Sequence, residues 1–366
     1  MDTFKIIPEI KYGNNSLECL KEFADRRIFI VTDPFIKSSG LLESVTKHLE
    51  NAEYTVFDDV VPDPPIEKVV HGVDRVMEYN PDVILALGGG SAIDEAKAIM
   101  YFAKKIGNMK DVLFVAIPTT SGTGSEVTSF AVITDREKGV KYPLVSDLLL
   151  PDMAVLSAEL VKTVPQNITA DTGMDVLTHA LEAYVSAKAN VFSDALAEKA
   201  VSMVFEYLVR SYKDAQDSEA RENMHYASCI AGLAFNIASL GLNHAMAHNI
   251  GAKLHIPHGR TNAILLPHII EYNAQDKHTA KKYARLAKFA KVNSNNVNMA
   301  VKGLISAVKN LERELHLPVK FENVKADSTM KNEIAVMSLK DACILTNPVK
   351  VTEKDVIAIL NKVVGD

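Results

Sequence analysis

Hydrophobic residues follow two different periodic patterns along this chain, one in each half. In the first half, short runs rich in Val and Ile alternate with longer stretches that carry apolar residues every three or four positions. This alternation predicts βαβ units and a mostly parallel sheet covered by helices on both faces. The predicted strands are 27–32, 54–57, 82–87 and 113–117, and the predicted helices are 37–49, 66–77 and 92–104.

The pattern of the second half is helical. Almost no strand signal follows Val155, and the apolar spacing predicts helices at 173–187, 194–212, 219–237, 243–252, 279–290, 297–313 and 353–364. Pro165 interrupts both patterns, because proline fits neither a helix interior nor a central strand. We therefore expect an α/β fold class with two domains, an α/β domain at 1–164 and an α-helical domain at 165–366.

Composition narrows the class of protein. A chain of 366 residues, 48% of them hydrophobic, is long enough for two cores. The net charge of −6 and the lack of a long basic run argue against a nucleic-acid partner. Three scattered cysteines without a C-x-x-C pair fit a reducing cytosol. Neither a signal peptide nor an apolar run of about 18 residues is found, so we expect a cytoplasmic protein without a membrane span.

The candidate metal ligands lie in the helical half. Asp175 and His179 are four residues apart, as are His244 and His248, so each pair shares one face of a helix. A lone histidine in such apolar surroundings is more often a hydrogen-bonded core residue. Four histidines between residues 244 and 258, the last of them His258, favour a site instead. One carboxylate with several imidazoles suits a divalent first-row metal such as iron or zinc.

Two polar, glycine-containing loops follow neighbouring strands of the first half. The first is G-G-G-S at 88–91, which opens a predicted helix, where backbone N–H groups favour a phosphate. Ser91 and Asp94 also fit a capping box, which is a purely structural role. The second is P-T-T-S-G-T-G-S-E at 118–126, which could also be a flexible turn. Because both loops lie at the carboxyl ends of strands, we expect a nucleotide there.

Asp33 ends the first predicted strand. An acidic residue at that position can accept hydrogen bonds from the ribose of an adenine nucleotide and repel a 2′-phosphate. It can equally be a turn or cap residue before Pro34, and the spacing does not decide between these roles. The pattern alone therefore predicts a nucleotide-binding α/β domain without naming the cofactor.

Four motifs, in this order, resemble those of the iron-containing (group III) alcohol dehydrogenases, and together they cover nearly the whole chain. They are G-G-G-S-A-I-D-E-A-K at 88–97, P-T-T-S-G-T-G-S-E at 118–126, T-G-M-D-V-L-T-H-A-L-E-A-Y at 172–184, and N-H-A-M-A-H-N-I-G with I-P-H-G at 243–259. Within the family, K-Y-P-L at 141–144 and the stretch 168–183 look most similar to 1-propanol dehydrogenases of propanediol-utilisation microcompartments. The chain departs from the family pattern at Ser157-Ala158 and at Val349-Lys350, which removes no expected ligand.

The resemblance implies a site residue by residue. It implies Fe2+, with Zn2+ as an alternative, held by Asp175, His179, His244 and His258. It implies that His248 is a catalytic, proton-relaying residue beside the metal. It implies NAD in the first domain, selected over NADP by Asp33. The other expected cofactor-binding residues are Gly89, Gly90, Ser91, Asp94, Thr119, Thr120, Thr123 and Lys141.

The implied activity is an NAD-linked alcohol dehydrogenase for short-chain primary alcohols and aldehydes, with propanal reduced to 1-propanol and NAD+ regenerated. The implied partners are the small-molecule substrate, further copies of the chain in a dimer or larger homo-oligomer, and microcompartment proteins. Two alternatives stay open. One is a diol or glycerol dehydrogenase on the same fold, and the other is a non-catalytic sensor that binds NAD and metal.

Overall fold

The computed structural model describes residues 4–107, 109, 111–138, 140–321, 324 and 326–364. The chain forms two compact units, Met1–Val164 (unit 1) and Pro165–Asp366 (unit 2).

Six parallel strands form the sheet of unit 1, in the order β1-β8-β5-β4-β2-β3. A separate antiparallel pair is made by β6 and β7. The strands are β1 Glu9–Lys11, β2 Arg27–Val31, β3 Glu53–Phe57, β4 Val83–Gly88, β5 Leu113–Pro118, β6 Phe130–Asp135, β7 Val140–Val145 and β8 Met153–Val155.

Both faces of this sheet are buried under helices. Along β2, Phe29 and Val31 belong to one hydrophobic cluster, while Ile28 and Ile30 belong to another. The same alternation continues along β4 and β5. Successive side chains of a strand point to opposite faces, so strands that are apolar throughout require cover on both sides. The expected α/β class is confirmed.

The α-helices of unit 1 are α1 Pro34–Ser38, α2 Leu41–Thr46, α3 Ile66–Tyr79, α4 Gly90–Ile106 and α5 Ala158–Val161, and its 3-10 helices are Ser16–Phe23, Ser125–Val127 and Asp147–Leu149. The prediction of a single helix at 37–49 is wrong, because the helical conformation is interrupted between α1 and α2. Gly40 has φ +84° there, a left-handed conformation that ends one helix and begins the next.

Four strands escaped the sequence pattern. β1 and β8 have three residues each, too few to show a periodicity. β7 carries Pro143 and is only partly buried, and both features weaken a strand signal. Short and exposed strands are therefore placed by their partners in the sheet and not by their own composition.

In the described part of unit 2, the secondary-structure elements are all helices. These elements are α6 Gln166–Val185, α7 Val191–Lys213, α8 Ser218–Ala238, α9 Leu242–Leu254, α10 His258–Asn273, α11 Lys277–Leu286, α12 Val297–Glu314, α13 Ser328–Ser338, α14 Glu353–Val363 and a 3-10 helix Ala342–Thr346. The sequence pattern missed α10 and α13. Pro267, which predicts a break, lies inside α10 and is buried there.

Among the described residues, no single helix has the length and hydropathy of a membrane span. The helices α8 and α9, which meet at 107°, pass the same test only when taken together, on length and composition alone.

Candidate metal and cofactor site

α6 carries the first two candidate ligands through the interior of unit 2. It starts directly after Pro165, and nearly every residue from Thr169 to Val185 is buried. Asp175 and His179 lie one turn apart on this helix, with 3% and 5% of their surface exposed. A carboxylate so deeply buried requires partners, because an isolated charge in such surroundings is strongly destabilised.

Those partners come from α9 and α10. His244 lies in the first turn of α9 and is 1% exposed, whereas His258 is the first residue of α10 and has an exposed side chain. The Nε2 atoms of both histidines lie 3.6 Å from Asp175 Oδ1. The ligand atoms of these three residues all lie within 4.8 Å of one another, close enough to share one ion.

The amide of Asn262 marks the point on which these atoms converge. Its Nδ2 donates to Asp175 Oδ1 at 2.6 Å and lies 3.1 Å from Nε2 of both His244 and His258. An amide NH2 group has only two hydrogens, so it cannot serve three acceptors at once. Two imidazole nitrogens and one carboxylate oxygen that converge on one point are a donor set that fits a divalent cation of the iron or zinc type.

Glu182, which the sequence reading did not single out, fixes the orientation of His244. Its Oε2 lies 2.6 Å from His244 Nδ1, and its Oε1 accepts from the backbone N–H of Asn243 at 2.6 Å. With the ring hydrogen held at Nδ1, the lone pair of Nε2 points toward Asp175. A carboxylate behind a histidine in this way is the usual outer support of a metal-binding imidazole.

A heptad spacing could have revealed Glu182. It lies seven residues after Asp175, which is two helical turns, and therefore faces the same side of α6. This spacing was visible in the sequence. The partner of Glu182 was not, because it lies on another helix that is distant in the sequence.

The charges of the cluster shift the pKa values of its members. Burial by itself lowers the pKa of His244, but the carboxylates of Asp175 and Glu182 outweigh it and raise the pKa to about 9. Burial by itself raises the pKa of Asp175, and His179, His258 and His244 hold it well below its ordinary value. Without a metal, His244 is therefore protonated at neutral pH, so a cation that binds here displaces a proton.

His179 is placed beside this group and not within it. Its ring stacks on that of His244 at 4.6 Å and on that of Phe235 at 4.5 Å. Of the four expected ligands, the structure thus brings three to within 4.8 Å and packs the fourth against one of them.

His248 lies one turn after His244 on α9 and is one-third exposed. Its ring is stacked on that of His258, with 5.3 Å between the ring centres and 13° between the planes. Its Nδ1 lies 2.9 Å from Asp341 Oδ2. Asp341, at the start of the 3-10 helix Ala342–Thr346, is a second residue that sequence reasoning missed, since 93 positions separate it from its partner.

The two glycine loops of unit 1 lie side by side. Gly88 ends β4 and is directly opposite Pro118, the end of β5. A Cβ atom at Gly90 would lie 2.7 Å from a methyl of Thr123, and one at Gly89 would lie 3.4 Å from the Thr120 hydroxyl. The first turn of α4 and the second loop are therefore packed together, with Thr119, which is buried, bonded through its N–H to the Gly88 carbonyl.

Two further candidate cofactor residues, Asp33 and Lys141, have protein partners. Asp33 caps α1, because its Oδ1 accepts from the N–H of Ile36 at 3.0 Å. Its other oxygen, Oδ2, lies 3.5 Å from the position of a Cβ at Gly88, at the same end of the sheet as the loops. Lys141, on β7, forms an ion pair with Asp63 at 2.5 Å.

The side chain of Asp94 points into the interior and not toward the surface of the loop. Its oxygens accept from Ser125 Oγ at 2.6 Å and from the N–H of Val132 at 3.0 Å. The capping box expected for Ser91 and Asp94 is absent, since the residue that caps α4 is Gly89 and makes no side-chain bond. Asp94 instead ties α4 to the second loop.

Comparisons with known proteins match nearly the whole chain. The family model described as iron-containing alcohol dehydrogenase matches residues 8–158, and the C-terminal model of the Fe-containing alcohol dehydrogenase family matches residues 169–364. The 1-propanol dehydrogenase PduQ of Citrobacter freundii is 45% identical over 355 residues, which is 95% of this chain and 96% of that protein.

Two solved structures share the fold. The crystal structure of a 1,3-propanediol oxidoreductase is 32% identical, with a TM-score of 0.93 over 99% of this chain and 100% of that one. Sulfoacetaldehyde reductase from Bifidobacterium kashiwanohense, solved with NAD+, is 27% identical with a TM-score of 0.90, over 99% of this chain and 98% of that one.

Proposed function

This chain belongs to the iron-containing alcohol dehydrogenases, and from that premise we propose that it interconverts short-chain primary alcohols and aldehydes with NAD(H). The observation that carries the proposal is the convergence of Asp175, His244 and His258 on one point in unit 2. Asp175, His179, His244 and His258 are assigned to the metal, Fe2+ by family membership and Zn2+ as the alternative. A bound divalent cation supplies Lewis-acid stabilisation of negative charge on the alcohol or aldehyde oxygen.

The residues behind the ligands set the properties of this site. Glu182 keeps the hydrogen of His244 on Nδ1, so that Nε2 is available as a donor atom. Asp175 brings one negative charge into a pocket of neutral imidazoles, which leaves the loaded site positive and attractive to an alkoxide. The apolar side chains of α6, among them Met174 and Leu177, exclude water from the ligand side.

His248 is assigned to proton transfer. Oxidation of an alcohol by NAD+ releases one proton together with the hydride, and reduction of an aldehyde consumes one. Asp341 holds the Nδ1 hydrogen of His248, which leaves Nε2 free to accept or return that proton. Because the ring is one-third exposed, the proton can continue to solvent.

The dinucleotide is assigned to the loops of unit 1, with NAD accepting or delivering the hydride. Gly89, Gly90 and Ser91 at the start of α4 offer backbone N–H groups to the pyrophosphate. The remaining proposed contacts are Thr119, Thr120, Thr123 and Lys141, with Asp33 at the ribose. Asp94 is assigned an indirect part, because its carboxylate is engaged with Ser125 and Val132.

For the substrate we propose propanal, reduced to 1-propanol with regeneration of NAD+. The 45% identity to a 1-propanol dehydrogenase supports this choice, and the likeness to a 1,3-propanediol oxidoreductase supports a diol as the second candidate. We also propose a homo-oligomer and a cytoplasmic location inside a microcompartment, to be tested by solution mass and by co-purification with shells.

The deciding experiment measures kcat/KM with NADH for ethanal, propanal, butanal, glyceraldehyde and lactaldehyde, on protein purified without oxygen and analysed for metal. We expect propanal to lead and the polyhydroxylated aldehydes to lag, with each methylene that the pocket accepts contributing about 0.8 kcal/mol. A preference for glyceraldehyde or lactaldehyde would move the protein to the diol branch. Fully metal-loaded protein that reduces none of the five would contradict the proposal.

A further inference from the structure

A second group of potential ligands lies beside the candidate metal site. It consists of His248 on α9 and of Asp341 and Cys343 at the start of the 3-10 helix Ala342–Thr346. One imidazole nitrogen, one carboxylate oxygen and the thiol sulfur of these residues lie within 4.8 Å of one another. None of the three belongs to the group formed by Asp175, His244 and His258.

We propose that His248, Asp341 and Cys343 form a second, inhibitory site for a thiophilic divalent cation such as Zn2+. The site follows from the geometry of the three residues alone. The inhibition rests on the proposed function, because it requires His248 to carry protons during turnover.

The donor set distinguishes this site from the first one. Thiolate, imidazole and carboxylate groups are all ligands of Zn2+, and a site with three protein ligands completes its tetrahedron with a water molecule. The first group contains no sulfur, and nitrogen and oxygen donors alone suit iron equally well. A thiophilic ion is therefore expected to favour the second group over the first.

The three residues are already held in position. Asp341 Oδ1 accepts from the N–H of Cys343 at 2.8 Å, while its Oδ2 lies 2.9 Å from His248 Nδ1. The far end of the same 3-10 helix is fixed by Thr346, whose hydroxyl donates to the Leu240 carbonyl at 2.7 Å. Little ordering remains for an ion to impose, which favours binding.

Access and charge also favour a cation. All three residues are partly exposed, so an ion can enter without local unfolding. Burial, together with the carboxylates of Asp341 and Glu182, raises the pKa of the Cys343 thiol well above its usual value. Burial is the larger of these causes, and the carboxylates that add to it also attract a dication.

Binding has a defined proton balance. The thiol of Cys343 becomes a thiolate and releases one proton to solvent. The hydrogen of His248 moves from Nδ1, now occupied by the ion, to Nε2, so this ring remains neutral. Nε2 then has no lone pair to accept a proton, and loss of its hydrogen would leave an imidazolate. The occupied site therefore stops proton transfer in both directions.

Cd2+ is the probe for the site, because cadmium bound to a thiolate gives a charge-transfer absorption band. We expect iron-loaded protein to bind one further Cd2+ per chain, with the band appearing at the same stoichiometry. Cys343→Ser should abolish the band and weaken binding at least about tenfold. Cys229→Ser is the matched control, since Cys229 is a buried thiol on α8 and should leave the band unchanged.

Turnover is followed separately with Zn2+. Propanal reduction by iron-loaded wild-type protein should fall in proportion to the second ion bound, and Cys343→Ser should need at least about tenfold more Zn2+ for the same loss. The Cd2+ titration is repeated on His258→Ala, in which the first group is broken. A cadmium–thiolate band in His258→Ala would show that the second site exists independently of the first group, and therefore independently of the proposed function.

Two results would overturn the inference. The absence of a cadmium–thiolate band in wild-type protein, or a band that persists in Cys343→Ser, removes the site. A Zn2+ ion bound through Cys343 with turnover unchanged removes the inhibitory role.

Discussion

Asn262 links the three residues of the candidate metal site. Its amide touches three candidate ligands from three helices, and it lies one turn after His258 on α10. Glu182 and Asn262, which support this group, were not singled out from the sequence, and neither were Asp341 and Cys343 of the second group. Their roles depend on contacts between distant positions, whereas the ligand pairs were visible because an i,i+4 spacing is local.

At the residue scale we first predict different outcomes for two neighbouring histidines. His258→Ala should weaken metal binding by at least about 10- to 100-fold, because mutating a residue that merely supports a ligand already lowers metal affinity by that factor. His248→Ala should keep its metal and lose roughly 10²- to 10⁴-fold in kcat, the usual range for a lost acid–base group. Metal analysis and steady-state kinetics on both proteins make the comparison. Full metal content and normal turnover in His258→Ala would remove it from the ligand set.

The second residue-scale prediction concerns Asp33, which the structure shows capping α1. Asp33→Asn keeps a good helix cap and removes the charge, while Asp33→Gly removes both. We expect both variants to raise the NADPH/NADH ratio of kcat/KM by at least about tenfold, which corresponds to about 1.4 kcal/mol less repulsion of the 2′-phosphate. If the ratio is unchanged in the asparagine variant, Asp33 is a cap and nothing more.

At the scale of elements, the long helices and central strands were predictable and the short or irregular ones were not. The buried runs of β2, β4 and β5 and the spacing in α7 and α8 are strong local signals. α10 was hidden by Pro267, the hairpin β6-β7 by its exposed second strand, and the break between α1 and α2 by an apolar pattern that continues across Gly40. For α10 and the hairpin, contacts with other elements outweigh local preference, whereas the break at Gly40 is a local effect of the left-handed φ that glycine permits.

Gly259 lies where the start of α10 approaches the backbone of α6 closely enough to exclude a side chain. A Cβ atom there would lie 2.1 Å from the backbone oxygen of Asp171, and a backbone atom cannot move aside alone. We expect Gly259→Ala to push the start of α10 away and to lower both metal affinity and thermal stability. Gly251→Ala, whose nearest contact would be 3.3 Å, is the matched control and should keep its metal. Equal metal affinity in the two variants would contradict this prediction.

Glu95 makes α4 sensitive to pH. It is fully buried, and neither of its carboxylate oxygens has a hydrogen-bond partner among the residues the structure describes. Burial raises its pKa from 4.5 to about 7. The folded protein therefore binds more protons than the unfolded chain between these values, so stability falls as pH rises from about 4.5 to 7 and the whole cost remains above 7.

Glu95→Gln should remove that cost. Relative to the wild type, we expect the variant to gain on the order of 3 kcal/mol at pH 8 and close to nothing at pH 4.5. Urea unfolding at the two pH values measures the difference, with Glu67→Gln, on the exposed side of α3, as the control. A variant that is no more stable at pH 8 would show that the glutamate is solvated in solution.

At the scale of the whole molecule, we predict that metal stabilises the two units unequally. The candidate ligands come from α6, α9 and α10, all of them in unit 2. A ligand that binds only the native state adds stability where local opening would release it. Hydrogen exchange with and without Fe2+ should show added protection in these helices and less in β2 and β4. His258→Ala should show none, and uniform protection along the chain would contradict the prediction.

The sheet order has a consequence for how the polypeptide is made. Among the strands that the structure describes, β1, at residues 9–11, pairs only with β8, at residues 153–155. Because β1 is synthesised before β8, it cannot join the sheet until more than 140 further residues have been added, which takes roughly 7 to 30 s at usual elongation rates. Once β5 has been made, the edge that β8 will cover stays unpaired for the rest of that interval. For a nascent chain, this interval is the period of greatest exposure to aggregation and the one in which a chaperone would matter most.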